Sequence, residues 1–193
     1  MTNETELLVD LVKIRTGMTF RSKLIGEMSG DCYVLDSRAI DKSGQVNSDK
    51  LVRMGTTELL IKKRVTSEDV LVCSKGIRNF AIGVPTTPSI IIPTNYFLVL
   101  EEISQRILPG YLMAYLNLSK TQNELKSRSK GGLIQSLSKN NIKTLQVIVP
   151  TLSVQKLVIE NLQYMIEERK VLEKLVINKK ILWEEKIDRL IQQ

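Results

Sequence analysis

Residues 151–193 contain no glycine and no proline. Nothing in that stretch breaks a helix, and its apolar residues recur at helical steps. Val158, Leu162, Met165, Leu172, Val176, Trp183 and Leu190 fall on one stripe, the spacing of a single helix face. Arg169 and Lys179 interrupt the stripe, and Leu157, Ile166, Leu175 and Ile187 widen it. Pro150 stands just before, and Ser153 is the expected N-cap. The pattern predicts a helix of about 40 residues, about 60 Å long at 1.5 Å per residue. A domain made of residues 1–150 is too small to cover such a rod. A stripe this apolar does not stand alone in water. It either folds back on its own domain or pairs with a second long helix, from another copy or a different protein. Pairing is the favoured reading, with the seven stripe residues as its interface.

The preceding residues change period repeatedly. Residues 7–14 suit a short strand or a turn of helix leading to Gly17. "CYVLDSRAI" suits a strand and its exit, and "KSGQVNSDK" a polar loop around Gly44. "TELLIKKRV" and "EDVLVCSKG" are strand candidates, the second closed by Gly76. "NFAIGVP" and "SIIIP" are cut by prolines, as edge strands of a small sheet are. "YFLVLEEI" suits a further strand. "LPGYLMAYLNLSKTQNEL" opens on Pro109-Gly110 and turns to helical spacing. "KSRSKGGLIQSLSKN" suits a basic, glycine-containing turn followed by helix, and "TLQVIVP" a last strand. The expected fold class is α+β: a small mixed domain of short strands over 1–150, then one long helix over 151–193 forming an intermolecular coiled coil.

Several function classes are excluded or weakened. There is no histidine, so Ser-His and Cys-His nucleophile pairs and His proton shuttles are absent. There is no P-loop, GxGxxG or GxSxG. The two cysteines, Cys32 and Cys73, have no metal-ligand spacing and suit buried thiols. No apolar run reaches the roughly 18 residues needed to span a bilayer. The opening "MTNETELLVDLVK" lacks a basic n-region, and the cytoplasm is the expected compartment. A binding protein without catalysis, cofactor or metal of its own is the stronger hypothesis.

The formal net charge is +7. Residues 1–150 hold 20 basic and 14 acidic side chains, and residues 151–193 hold 8 and 7. The excess therefore belongs to the domain. One basic run holds Lys120, Lys126, Arg128, Lys130, Lys139 and Lys143 against Glu124. Another holds Lys50, Arg53, Lys62, Lys63 and Arg64 against Glu58. Such patches suit a polyanion, and nucleic acid is the first candidate. The candidate DNA contacts are Arg21, Lys23, Lys42, Lys75, Arg78, Lys126, Arg128 and Lys130, with the amides Gln45, Asn47 and Asn79. Gln122 and Asn123 belong to the same class. Arginine bridges guanine and an amide bridges adenine in the major groove, while lysines hold phosphates. Gly131, next to Gly132, would let backbone approach a phosphate closely.

The order of these pieces resembles one half of the specificity (S) subunit of type I restriction–modification systems. The stretches that carry it are "LVDLVKIRTGMTF", "GDCYVLDSRAID", "SEDVLVCSKG" with Asp69 and Gly76, "PGYLMAYLNL", and above all "SKGGLIQSLSKNNIKTLQVIVPTLSVQKLVIENL" with Pro150 and Gln155. The resemblance implies a target-recognition domain followed by a spacer helix. In that family two such units read a bipartite double-stranded DNA site. Methyltransferase (M) subunits there use S-adenosylmethionine, and a restriction (R) subunit uses ATP and magnesium. One domain and one helix imply a homodimer, or pairing with another half S subunit. Two rivals stay open: a non-DNA adaptor whose long helix binds a partner protein, and a nuclease using Asp and Glu with magnesium.

Overall fold

The computed structural model describes residues 4–21, 26, 30–41, 44–76, 79–84, 90–129 and 135–192. Residues 7–14, for which the sequence allowed strand or helix, contain both. β1 (Glu4–Leu7) runs into α1 (Leu8–Leu11) and then β2 (Lys13–Thr16). The sheet-forming strands that follow are β3 (Cys32–Leu35), β4 (Val52–Met54), β5 (Val70–Cys73), β6 (Ala81–Gly83), β7 (Ile90–Pro93), β8 (Phe97–Glu101) and β9 (Gln146–Val149). The helices are α2 (Glu58–Ile61), α3 (Pro109–Asn117), α4 (Ser119–Arg128), α5 (Lys139–Lys143) and α6 (Leu152–Ile191).

The strands form three sheets. β2-β8-β5-β6 is antiparallel throughout. β4-β3-β7 pairs β3 antiparallel to β4 and parallel to β7. β1 and β9 make a two-stranded ribbon, so the domain's first and last strands lie together. The continuous apolar runs of β5 and β8 follow from burial on both faces. Val70, Val72, Leu98 and Leu100 pack under the helices with Leu112, Leu116 and Leu125. Their alternates Leu71, Cys73, Phe97 and Val99 pack against Leu35 and Ile91 of the three-stranded sheet. Beyond that sheet, Leu60 of α2 covers Cys32, Val34 and Ile92. β6 and β7 are indeed edge strands, and Pro93 ends β7 where no ladder bond is lost.

Three local expectations are corrected. "TELLIKKRV" is a helix, not a strand: Thr57 caps α2 by accepting the Leu60 N–H at 3.3 Å, and Leu60 is its buried residue. The helix expected after the basic turn is confined, among the described residues, to α5. Residue 136 pairs in extended form with Lys75, and Ser138 caps α5 by accepting the Asn141 N–H at 3.1 Å. α6 is capped at Thr151 rather than Ser153. The two hydroxyls bond each other at 3.0 Å instead of capping a backbone N–H.

The rod is rooted by one side chain. Gln155, in the first turn of α6, is fully buried. Its Oε1 accepts the Leu108 N–H at 2.8 Å, and its Nε2 donates to the carbonyls of Arg106 and Pro150, both at 2.8 Å. Every polar atom of the amide is thereby paired, as burial demands. Val158 and Ile159 then pack on the core, where Gly110 leaves room for Ile159: a Cβ there would stand 3.1 Å from its Cδ1. Tyr111 and Tyr115 tie α3 to β9 by donating to the carbonyls of Ile148 and Gln146. From Glu167 to the end of α6 only Arg169 and Ile187 are partly covered. The helix leaves the domain instead of folding back on it. Among the described residues no helix is long and apolar enough to cross a membrane.

Candidate nucleic-acid interface

Segments far apart in sequence meet at one end of the four-stranded sheet. Beyond β5, residues 74–76 continue beside residues 135–137. Leu137 N–H donates to the Ser74 carbonyl at 2.7 Å, and Gly76 N–H to the Gln135 carbonyl at 3.1 Å. Gly76 has φ of +103°, a conformation that glycine adopts without penalty. At the end of α4, Ser129 donates to the Asn79 side-chain oxygen at 3.2 Å. The stretches carrying Lys75, Asn79, Lys126 and Arg128 are thus joined. The 44–46 loop arrives from the other side. Gly44, at φ +81°, lies so close to the Phe80 ring that a Cβ would stand 3.0 Å from it.

A cleft of about 1010 Å³ opens here between the domain and the rod. The loop supplies Gln45 and Val46. β6 and its approach supply Phe80, Ala81, Ile82 and Gly83. α3 gives Met113 and Asn117, α4 gives Gln122, Asn123 and Lys126, and α6 gives Leu162, Ile166 and Arg169. Asn117 also seals the outer edge of β6. Its Oδ1 accepts the Ala81 N–H at 3.0 Å and its Nδ2 donates to the Ala81 carbonyl at 2.7 Å, which blocks strand addition at that residue.

The candidate residues divide by what the fold asks of them. Gln45 and Lys126 share the cleft. Arg21 and Asn47 are exposed, and Asn47 also caps a turn by accepting the Asp49 N–H at 3.0 Å. Lys75 donates to Asn95 at 3.4 Å. Two candidates are drawn into the fold instead. Asn79 is 3% exposed; its Nδ2 donates to the Cys73 carbonyl at 2.8 Å while its oxygen takes the Ser129 hydroxyl. It props the loop and offers no free edge to a base. Arg128 forks onto Glu124 at 2.6 and 3.2 Å and donates to the Asn141 carbonyl and the Thr144 hydroxyl. Those bonds clamp α4 to α5 and neutralise its charge locally. Gln122 likewise donates to the carbonyls of Asn79 and Leu116. Lys23, Lys42, Arg78, Lys130 and Gly131 lie outside the described residues.

The cysteines are both buried. Burial pushes the Cys73 thiol up to about 12, so it holds its proton and packs as an apolar group. Among the described residues no group of three or more Cys, Asp or Glu side chains could hold a metal ion. Sequence reasoning passed over Phe80, Asn117 and Arg169. For Arg169 a signal existed, since it breaks an apolar stripe.

Known structures share this domain and rod. The S subunit of the type I restriction–modification system from M. genitalium superposes over 93% of the chain, with TM-score 0.61 and 16% identity. The HsdS subunit from Thermoanaerobacter tengcongensis covers 89%, with TM-score 0.61 and 11% identity. A structure reporting complex assembly and conformational transition of a type I restriction–modification system covers 89%, with TM-score 0.58 and 12% identity. The chain spans 43%, 39% and 40% of those chains. At such identities the likeness is one of fold, and the α+β domain with its long terminal helix is that fold. No family model matches the sequence, and no curated protein does.

Proposed function

We propose that this chain acts as a half-length specificity subunit of a type I restriction–modification system. Residues 1–150 recognise one half-site in double-stranded DNA, and residues 151–193 pair with the rod of a second copy or of another half subunit. The assembly then reads a bipartite target and presents it to methyltransferase and restriction subunits, which supply the chemistry and its cofactors. The chain itself is non-catalytic, and its place of work is the cytoplasm.

The observation that carries this reading is an uncovered apolar rod fixed by Gln155 beside a cleft that holds Gln45, Asn123 and Lys126. Exposed apolar side chains along most of a 40-residue helix call for a partner helix. A rigid rod turns the distance between two domains into a base-pair spacing, and two-fold symmetry maps onto inverted half-sites.

The test is selection of bound sequences from random duplex DNA, with and without the methyltransferase subunit. The expected result is enrichment of two inverted half-sites at one fixed spacing. A single half-site would leave a lone recognition domain. No enrichment under either condition would sink the DNA reading and favour an adaptor whose rod binds another protein.

A further inference from the structure

The apolar stripe of α6 is broken at Arg169 and at Lys179, and the two breaks differ. Lys179 stands on an exposed stretch of the helix. Arg169 lines the cleft. Among the described lining residues, Arg169 and Lys126 are cationic and none is acidic. The Arg169 Nε is buried without a hydrogen-bond partner. Its ion-pair partner, Glu173, is 3.6 Å away and itself largely exposed. A guanidinium carries five N–H donors in a fixed fork suited to phosphate. The Arg169 side chain is 42% exposed and its Nε makes no hydrogen bond, and Lys126 adds a second cation to the same cleft, so the cleft suits an anion.

We infer that this cleft takes a stretch of the phosphodiester backbone of DNA, with Arg169 as a contact supplied by the rod itself. The inference rests on the DNA-binding reading above. The same cleft holds Gln45 and Asn123, whose amides can pair with base edges once the backbone is held. The rod is then more than a spacer. It forms one wall of the site, so its rotational setting at Gln155 also sets the position of Arg169 relative to Lys126. The second break, Lys179, has no such cleft and serves as the internal control.

Arg169→Gln, Lys179→Gln and Lys126→Gln are made in the full chain, and binding to a random-sequence duplex is followed across a salt series. Solution mass and circular dichroism are checked for each variant. Arg169→Gln is expected to weaken binding to every duplex and to lower the slope of log K against log salt by about 0.9 per bound domain, the loss of one phosphate contact. Lys179→Gln is expected to leave the slope unchanged. If Lys126→Gln lowers the slope and Arg169→Gln does not, DNA binding stands and the rod contact is wrong. Equal slopes for Arg169→Gln and Lys179→Gln would reduce Arg169 to general charge. Polyglutamate binding lost in Arg169→Gln, with DNA binding intact, would assign the cleft to an acidic protein segment. If the wild-type chain binds no duplex, the functional reading itself fails.

Discussion

The domain and the rod use the same kinds of side chain in opposite ways. In the domain, Phe97, Leu100 and Leu112 are fully enclosed, and central strands are buried on both faces. On the rod, Leu172, Val176 and Trp183 are 53%, 68% and 63% exposed. Apolar surface in the domain already stabilises the fold. On the rod the same surface becomes favourable only when a second helix covers it. The difference teaches that the domain's stability is internal, whereas the rod's apolar surface adds stability only when another surface covers it. Gln155 sits at the border, a polar side chain inside an apolar packing layer.

The largest effect should come from putting charge into the stripe. Leu172→Asp with Val176→Asp, both beyond the cleft, should convert the assembled chain to monomers in sedimentation, because carboxylates buried without partners are strongly unfavourable. The denaturation midpoint of the domain should stay put. A double variant that remains assembled would remove α6 as the interface. Next, Phe97→Ala should cost the domain about 3–5 kcal/mol in urea unfolding, while Leu190→Ala on the rod should shift the domain's stability by no more than about 0.5 kcal/mol. Gln155→Leu should cost roughly 2–4 kcal/mol, since buried groups left unpaired cost about 1–3 kcal/mol each. It should also raise amide exchange at the base of α6 more than in β5. Equal exchange in both places would mean that Gln155 is not the joint.

The smallest effect separates the ion pairs of the two regions. Burial pushes the Glu101 carboxyl up, but Arg15 and then Lys13 outweigh it and hold it below its ordinary value. A carboxyl held low in the folded state adds stability above its unfolded value, and loses it as pH falls through the lowered one. The domain's midpoint should therefore fall between about pH 5 and pH 3, and less steeply in Glu101→Gln. The rod's Lys180–Glu184 pair is exposed, with side chains at 3.6 Å, so Glu184→Gln should leave that acid profile unchanged.

Much of this contrast was legible in the sequence. The rod showed in a long stretch without helix breakers, and β5 and β8 showed as short apolar runs. α2 did not, because one threonine cap and one buried leucine decided it within four residues. α5 showed only in part: a helix was expected after the basic turn, but residue 136 pairs in extended form with Lys75 before it. At the candidate site, composition pointed to residue types but not to their employment. Asn79 and Arg128 resemble Gln45 and Lys126 on paper. Only the fold shows that the first two are taken up by Cys73, Ser129, Glu124 and α5. Arg169 was visible as a break in a stripe, but its place in the wall of a cleft is not revealed by spacing alone.

On the proposed reading, the rod fixes the distance between two reading domains. One added heptad that preserves the stripe, placed after Leu172, lengthens the helix by about 10 Å. Selection from random duplex DNA with that variant should return the same half-sites with a spacer longer by about 3 base pairs, at 3.4 Å per step. The same half-sites at the original spacing would contradict the account.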